Sequence, residues 1–125
     1  MNKVYTIQEI AETIGLNKST LYYYERIGLM LPISRKSNGH RQYTEKDIEW
    51  LQFVKRMRET GMPLSAIRAY AELHVQGGGP EDRLAILEQH YARMLAQQEA
   101  LSQAIDFIEK KIDRFNKSIT WKRES

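Results

Sequence analysis

The stretch that decides the fold is residues 6–28, TIQEIAETIGLNKSTLYYYERIG. Thr6 followed three residues later by Glu9 has the form of a capping box, in which a hydroxyl and a carboxylate satisfy the free amides of a helix start. Ile7, Ile10, Ala11 and Ile14 then mark one apolar face, and Gly15 stops the helix. Asn17 is a good N-cap for a second helix, which carries Leu21 inward and ends near Gly28. Two short helices joined by a tight glycine-containing turn form the helix-turn-helix pattern.

Working outward, Leu31-Pro32-Ile33 cannot continue a helix, because proline lacks an amide proton and clashes with the preceding turn. Asn38-Gly39 is a tight-turn dipeptide across which Ile33–Arg35 and Arg41–Tyr43 can pair as a small hairpin. Thr44, with Asp47 at the capping-box position, opens a third helix whose apolar stripe is Ile48, Leu51, Phe53, Val54 and Met57 and which Gly61 ends. Pro63 opens a fourth, carrying Leu64, Ile67, Ala71 and Leu73.

Gly77-Gly78-Gly79 is the clearest boundary, since three glycines do not stay in a helix. Beyond it, Leu84, Leu87, Tyr91, Met94, Gln98, Leu101, Ile105, Ile108, Ile112 and Phe115 are spaced alternately three and four apart. That heptad seam predicts a coiled-coil helix about 50 Å long at 1.5 Å per residue. The chain holds no second long helix to cover it, so the seam is expected to meet a second copy. It is nearly palindromic about Gln98 and Leu101, which points to an antiparallel pair. The expected organisation is mainly α: a DNA-binding head over residues 1–76, a glycine-rich linker over 77–80, a dimerising coiled-coil helix over 81–115 and a polar tail over 116–125.

The 125 residues leave room for about one domain with an appendage. Hydrophobic residues at 42% and charged residues at 28% fit a globular chain rather than a disordered one. No apolar run is long enough to span a membrane and the N-terminus lacks a secretory signal, so a cytoplasmic protein without membrane contact is expected. The absence of cysteine removes disulfides, thiolate metal sites and cysteine nucleophiles. The net charge is only +3, but residues 1–76 carry all of the excess. Lys18, Arg26, Arg35, Lys36 and Arg41 face a single acid, Glu25, in a short run, a patch able to attract phosphates.

Several segments together resemble the MerR family of bacterial transcription regulators. They are residues 5–11 (YTIQEIA), 20–29 (TLYYYERIGL), 38–43 (NGHRQY) and 61–67 (GMPLSAI), in order and at that family's spacings. The resemblance implies a winged helix-turn-helix head on an antiparallel coiled coil. It also implies a homodimer that binds a palindrome in an over-long promoter spacer. In that family an effector makes the dimer bend and untwist the DNA, realigning the promoter for RNA polymerase.

Physical chemistry of the residues agrees with double-stranded DNA as partner. Lys18, Ser19, Tyr22 and Tyr23 lie at the start of the second helix, the end that enters a major groove. One of the adjacent tyrosines, Tyr23 or Tyr24, must point inward. By resemblance, Tyr22 stands where the family commonly has Arg and His40 where the wing often has Tyr. Arg41 matches the wing Arg, Arg35 lies at the wing base, and Arg58 matches a position that contacts the DNA backbone. Lys55 and Arg56 read either as DNA contacts or as solvated surface.

No catalytic set or cofactor is expected: His40, His74 and His90 are scattered, and His90 reads as surface. A small organic effector held by Tyr70, His74 and a partner's Tyr91 or Trp121 is one reading. An effector-independent architectural or protein-interaction dimer is the alternative. Trp121, in a polar tail, either docks on the head or belongs to a disordered end.

Overall fold

The computed structural model describes residues 3–124, apart from the side chains of Ser34 and Glu124. Residues 1–2 and 125, the outer ends of the expected head and tail, lie outside the described residues. The elements run α1 (Ile7–Ile14), α2 (Lys18–Arg26), β1 (Ser34–Arg35), β2 (Arg41–Gln42), α3 (Glu45–Glu59), α4 (Leu64–Gln76) and α5 (Pro80–Glu124).

Helices α1, α2 and α3 start where local hydrogen bonding says they should. The Thr6 amide donates to the Glu9 carboxylate at 3.1 Å and the Glu9 amide donates to Thr6 Oγ1 at 3.2 Å. These bonds hold the Glu9 carboxyl below its ordinary value, the bond from the Thr6 backbone contributing most. Asn17 Oδ1 accepts from the Thr20 amide at 3.0 Å to open α2. At α3 the Asp47 carboxylate accepts from the Thr44 amide at 2.8 Å. Gly15 closes α1 at φ 80°, a left-handed conformation that costs a residue with a Cβ energy. There Lys55 Nζ donates to the Ile14 carbonyl at 2.8 Å, so one of the two cations expected either at DNA or in solvent instead caps a helix C-terminus.

The compact unit that contains the head extends to Leu87. Its core is Ile10, Ile14, Leu21, Tyr24, Leu29, Tyr43, Ile48, Trp50, Leu51, Val54, Met62, Ile67 and Ala71, with Ile86 packed against it. Trp50, outside the apolar stripe read from the sequence, is buried and donates through Nε1 to the Leu29 carbonyl at 2.7 Å. Leucine and isoleucine at these positions each contribute roughly 1.5–3 kcal/mol by burial.

The wing differs in detail from the expected hairpin. β1 and β2 are antiparallel with Ser34 opposite Gln42 and Arg35 opposite Arg41. Tyr43 instead bridges to Tyr5, its amide donating to the Tyr5 carbonyl at 2.9 Å and its carbonyl accepting from the Tyr5 amide at 2.7 Å. Three backbone segments therefore meet where two were expected. The Tyr43 ring is buried, and burial pushes its hydroxyl pKa up to about 12.

α4 closes on Gly77 at φ 68°. The second compact unit is Glu88–Ser125, and its described residues are the remainder of α5. The helix does not stop at Phe115 but continues through Glu124, and Ile119 extends the seam by one further four-residue step. Trp121 lies on this helix and is exposed. His90 is buried, against the expectation of a surface residue. It falls on the helix face of Arg83 and Ile86, three and four residues apart, and not on the polar face. Its Nδ1 lies 3.0 Å from Arg93 Nη1. Burial, and then the Arg93 charge, lower the His90 pKa.

No helix among the described residues is long and apolar enough to cross a membrane.

Candidate nucleic-acid interface

Helix α2 turns Leu21 and Tyr24 into the core, which leaves Tyr22 and Tyr23 each 41% exposed. Of the two tyrosines between which the sequence left the choice, Tyr24 is the inward one. Lys18 and Ser19 are exposed at the first turn, and Ser19 Oγ donates to the capping oxygen of Asn17 at 2.9 Å. The Arg26 guanidinium lies over the Tyr23 ring at 5.5 Å.

The wing carries the second half of the site. The Lys36 amide donates to the His40 carbonyl at 2.7 Å, and Gly39 takes φ 86°, the positive value its turn requires. His40 is exposed at the tip. Arg35 donates to the Gly39 carbonyl at 3.1 Å from Nη1 and approaches Glu25 at 3.4 Å through Nη2. Arg41 donates from Nε to Glu25 Oε2 at 2.7 Å, and its guanidinium sits 4.9 Å from the Tyr22 ring centroid. The Glu25 bond raises the Arg41 pKa further, so this cation is never discharged.

A concavity of about 310 Å³ joins these parts, lined by Thr6, Ile7, Tyr22, Lys36, Gly39, His40 and Arg41. It brings together Tyr22, His40 and Arg41 from the expected set. Lys36, read from the sequence as part of the basic patch, belongs to it as well, as do Thr6 and Ile7, which were read only as parts of a helix start. Arg58 is not among its residues: Arg58 Nη1 donates to the Met62 carbonyl at 2.9 Å, tying the end of α3 to the chain leading into α4. Glu25 was also missed as a functional residue. Its signal was present in the sequence as the single acid within a run of five bases.

Tyr70 and His74 come together on a different cavity, with Trp50, Phe53 and Arg83. Tyr91 and Trp121 do not line it and are exposed on α5. The seam side chains Leu84, Leu101, Ile105, Ile108, Ile112 and Phe115 are all at least half exposed, while Leu87 and Met94 are partly buried.

A helix-turn-helix whose second helix and β-hairpin wing share one cationic, tyrosine-bearing face defines a winged-helix DNA-binding protein. The family patterns agree. The MerR HTH family regulatory protein pattern matches residues 5–73, and the MerR DNA-binding pattern matches residues 48–111. The chain belongs to the MerR family, whose matched members are transcription regulators and not enzymes.

It is 44% identical over 71 residues to the HTH-type transcriptional regulator AdhR of Bacillus subtilis, covering 57% of this chain and 51% of that one. The chain thus spans about half the length of that relative. An HTH-type transcriptional regulator of Haemophilus influenzae is 32% identical over 115 residues, covering 91% and 85%. Among solved structures, HiNmlR, a MerR family regulator lacking the sensor domain and bound to promoter DNA, matches with TM-score 0.84 and 32% identity over 92% of each chain. A MerR family regulator from Listeria monocytogenes matches with TM-score 0.85 and 31% identity over 90% and 86%.

Proposed function

We propose that the protein acts as a homodimer on a two-fold-symmetric promoter spacer, with α2 in the major groove and the wing on the flanking backbone. The observation that carries this reading is the seam. Leu84, Leu101, Ile105, Ile108, Ile112 and Phe115 line one side of a long helix and are at least half exposed. An apolar stripe of this length in water is stable only when covered, and a second copy supplies a matching one. The near-palindromic order of the seam favours an antiparallel pair, with residues 81–115 as the dimerising segment. The promoter-bound complex of HiNmlR supports a promoter as the DNA target.

On this reading the dimer bends and untwists its site so that RNA polymerase can engage both promoter elements. A small organic effector acting through Tyr70 and His74, with Tyr91 or Trp121 of the partner helix, controls the step. The relative described as lacking the sensor domain favours a second reading, an architectural dimer that needs no effector.

Cysteine trapping tests the dimer: Leu84→Cys combined with Phe115→Cys is expected to cross-link between copies, whereas Leu84→Cys alone is not. Cross-linking of Leu84→Cys alone would overturn the antiparallel arrangement. Selection of bound DNA from a genomic library, followed by footprinting and transcription, separates regulator from architectural protein. A regulator protects one spacer-centred palindrome and changes transcript level.

A further inference from the structure

The cavity beside the head core has a chemistry that DNA binding does not use. Its volume is about 420 Å³, within the range of small-molecule sites. One wall is aromatic: the Trp50 and Tyr70 rings stack at 5.9 Å and 21°, and Phe53 lies 5.3 Å from Trp50 and 5.0 Å from Tyr70. The three planes are within 33° of each other at centroid spacings of 5.0–5.9 Å, so the rings stack and tilt on one another as one apolar aromatic surface. Offset stacking on such a surface suits a planar ring.

The other wall is cationic. Arg83 enters from the first turn of α5 and Lys46 from α3, against one carboxylate, Glu49. Arg83 Nη1 donates to His74 Nδ1 at 3.2 Å. Its Nε is buried and has no hydrogen-bond partner among the described residues, nor does Arg83 form an ion pair there. A guanidinium cannot discharge itself, and an unsatisfied buried donor is costly. A carboxylate meeting the Nε–Nη edge supplies the missing acceptor in the bidentate geometry that arginine favours.

We infer that this cavity binds a planar aromatic carboxylate, the ring on Trp50, Phe53 and Tyr70 and the acid group on Arg83. The inference deepens the effector reading above and rests on it for regulation, but not for binding. Isothermal titration of the full chain with naphthoate and with uncharged naphthamide tests it. Naphthoate is expected to bind and naphthamide to bind about tenfold more weakly, the loss that follows from removing a charge-assisted hydrogen bond. Arg83→Met should erase the difference, and Phe53→Ala should weaken both ligands. Equal affinity for the two probes, no binding of naphthoate up to millimolar concentration, or an unchanged preference in Arg83→Met would each overturn the proposal. If Arg83→Met fails to fold, the preference of the unaltered chain decides alone. Naphthoate binding that leaves transcription from the selected operator unchanged supports the site and removes the effector role.

Discussion

Glu25 Oε2 accepts a hydrogen bond from Arg41 Nε at 2.7 Å, joining the reading helix to the wing. The two residues are 16 apart in sequence and both are only partly exposed. Glu25 also draws in Arg35 at 3.4 Å. One carboxylate thus fixes two wing cations relative to the helix, and Arg41 in turn covers Tyr22. On the proposed reading the Arg41 Nη groups meet a phosphate while Nε holds the side chain in position. It is at once a DNA contact on the proposed reading and a structural strut.

Arg41→Ala is therefore expected to weaken binding to all DNA sequences alike and to reduce the salt slope by about one phosphate contact. It should also cost roughly 1 kcal/mol of stability, the scale of a partly exposed charged hydrogen bond. Titrations at several salt concentrations, paired with urea unfolding, check both. An unchanged affinity would remove Arg41 from the interface.

Tyr22→Ala should behave differently. Tyr22 presents an exposed ring and hydroxyl from the reading helix, so its loss is expected to change base preference more than overall affinity. Selection of bound sequences with the variant and with the unaltered protein compares the two profiles.

Trp50→Phe removes the Nε1 donor from the Leu29 carbonyl and shrinks a buried ring. The expected loss is about 2–3 kcal/mol, combining an unsatisfied buried acceptor with a small cavity. A fall in the urea midpoint with an unchanged slope would show it.

Ile105→Asp places a charge near the middle of the exposed seam. A carboxylate there cannot be desolvated between two helices, so the dimer is expected to dissociate at micromolar concentration. Light scattering of the purified variant measures this, and a persistent dimer would move the interface elsewhere.

His90 predicts a pH dependence. Its folded pKa lies below the ordinary histidine value of 6.5 because the ring is buried beside Arg93. The unfolded chain therefore binds more protons below about pH 6.5. The stabilisation is fully present above that pH and is lost as pH falls through the folded value. His90→Gln should flatten the change in urea midpoint across this acidic range relative to the unaltered protein.

Much of the head was legible because its instructions are local. Thr6 with Glu9, Asn17 with Thr20 and Thr44 with Asp47 act across three residues, and the structure contains each of these caps. The seam was legible for the same reason, since helical periodicity is a local rule. Trp50 was not, because it lies beside the apolar stripe of α3 and its partner is 21 residues away. Arg58 and Lys55 look alike as surface cations, yet Lys55 donates to the Ile14 carbonyl 41 residues away, and Arg58 to the Met62 carbonyl just past the end of its own helix.

By itself, then, the order of residues determined where helices start and stop, which faces are apolar and where positive charge gathers. Side-chain caps and periodic burial operate within one or two turns, and no distant partner is needed to read them. Tertiary structure alone decided that Tyr43 pairs with Tyr5, that Glu25 holds Arg41, and that Arg83 meets an aromatic wall built on α3 and α4. Those contacts depend on how elements pack in space, and packing brings together groups whose separation along the chain carries no signal.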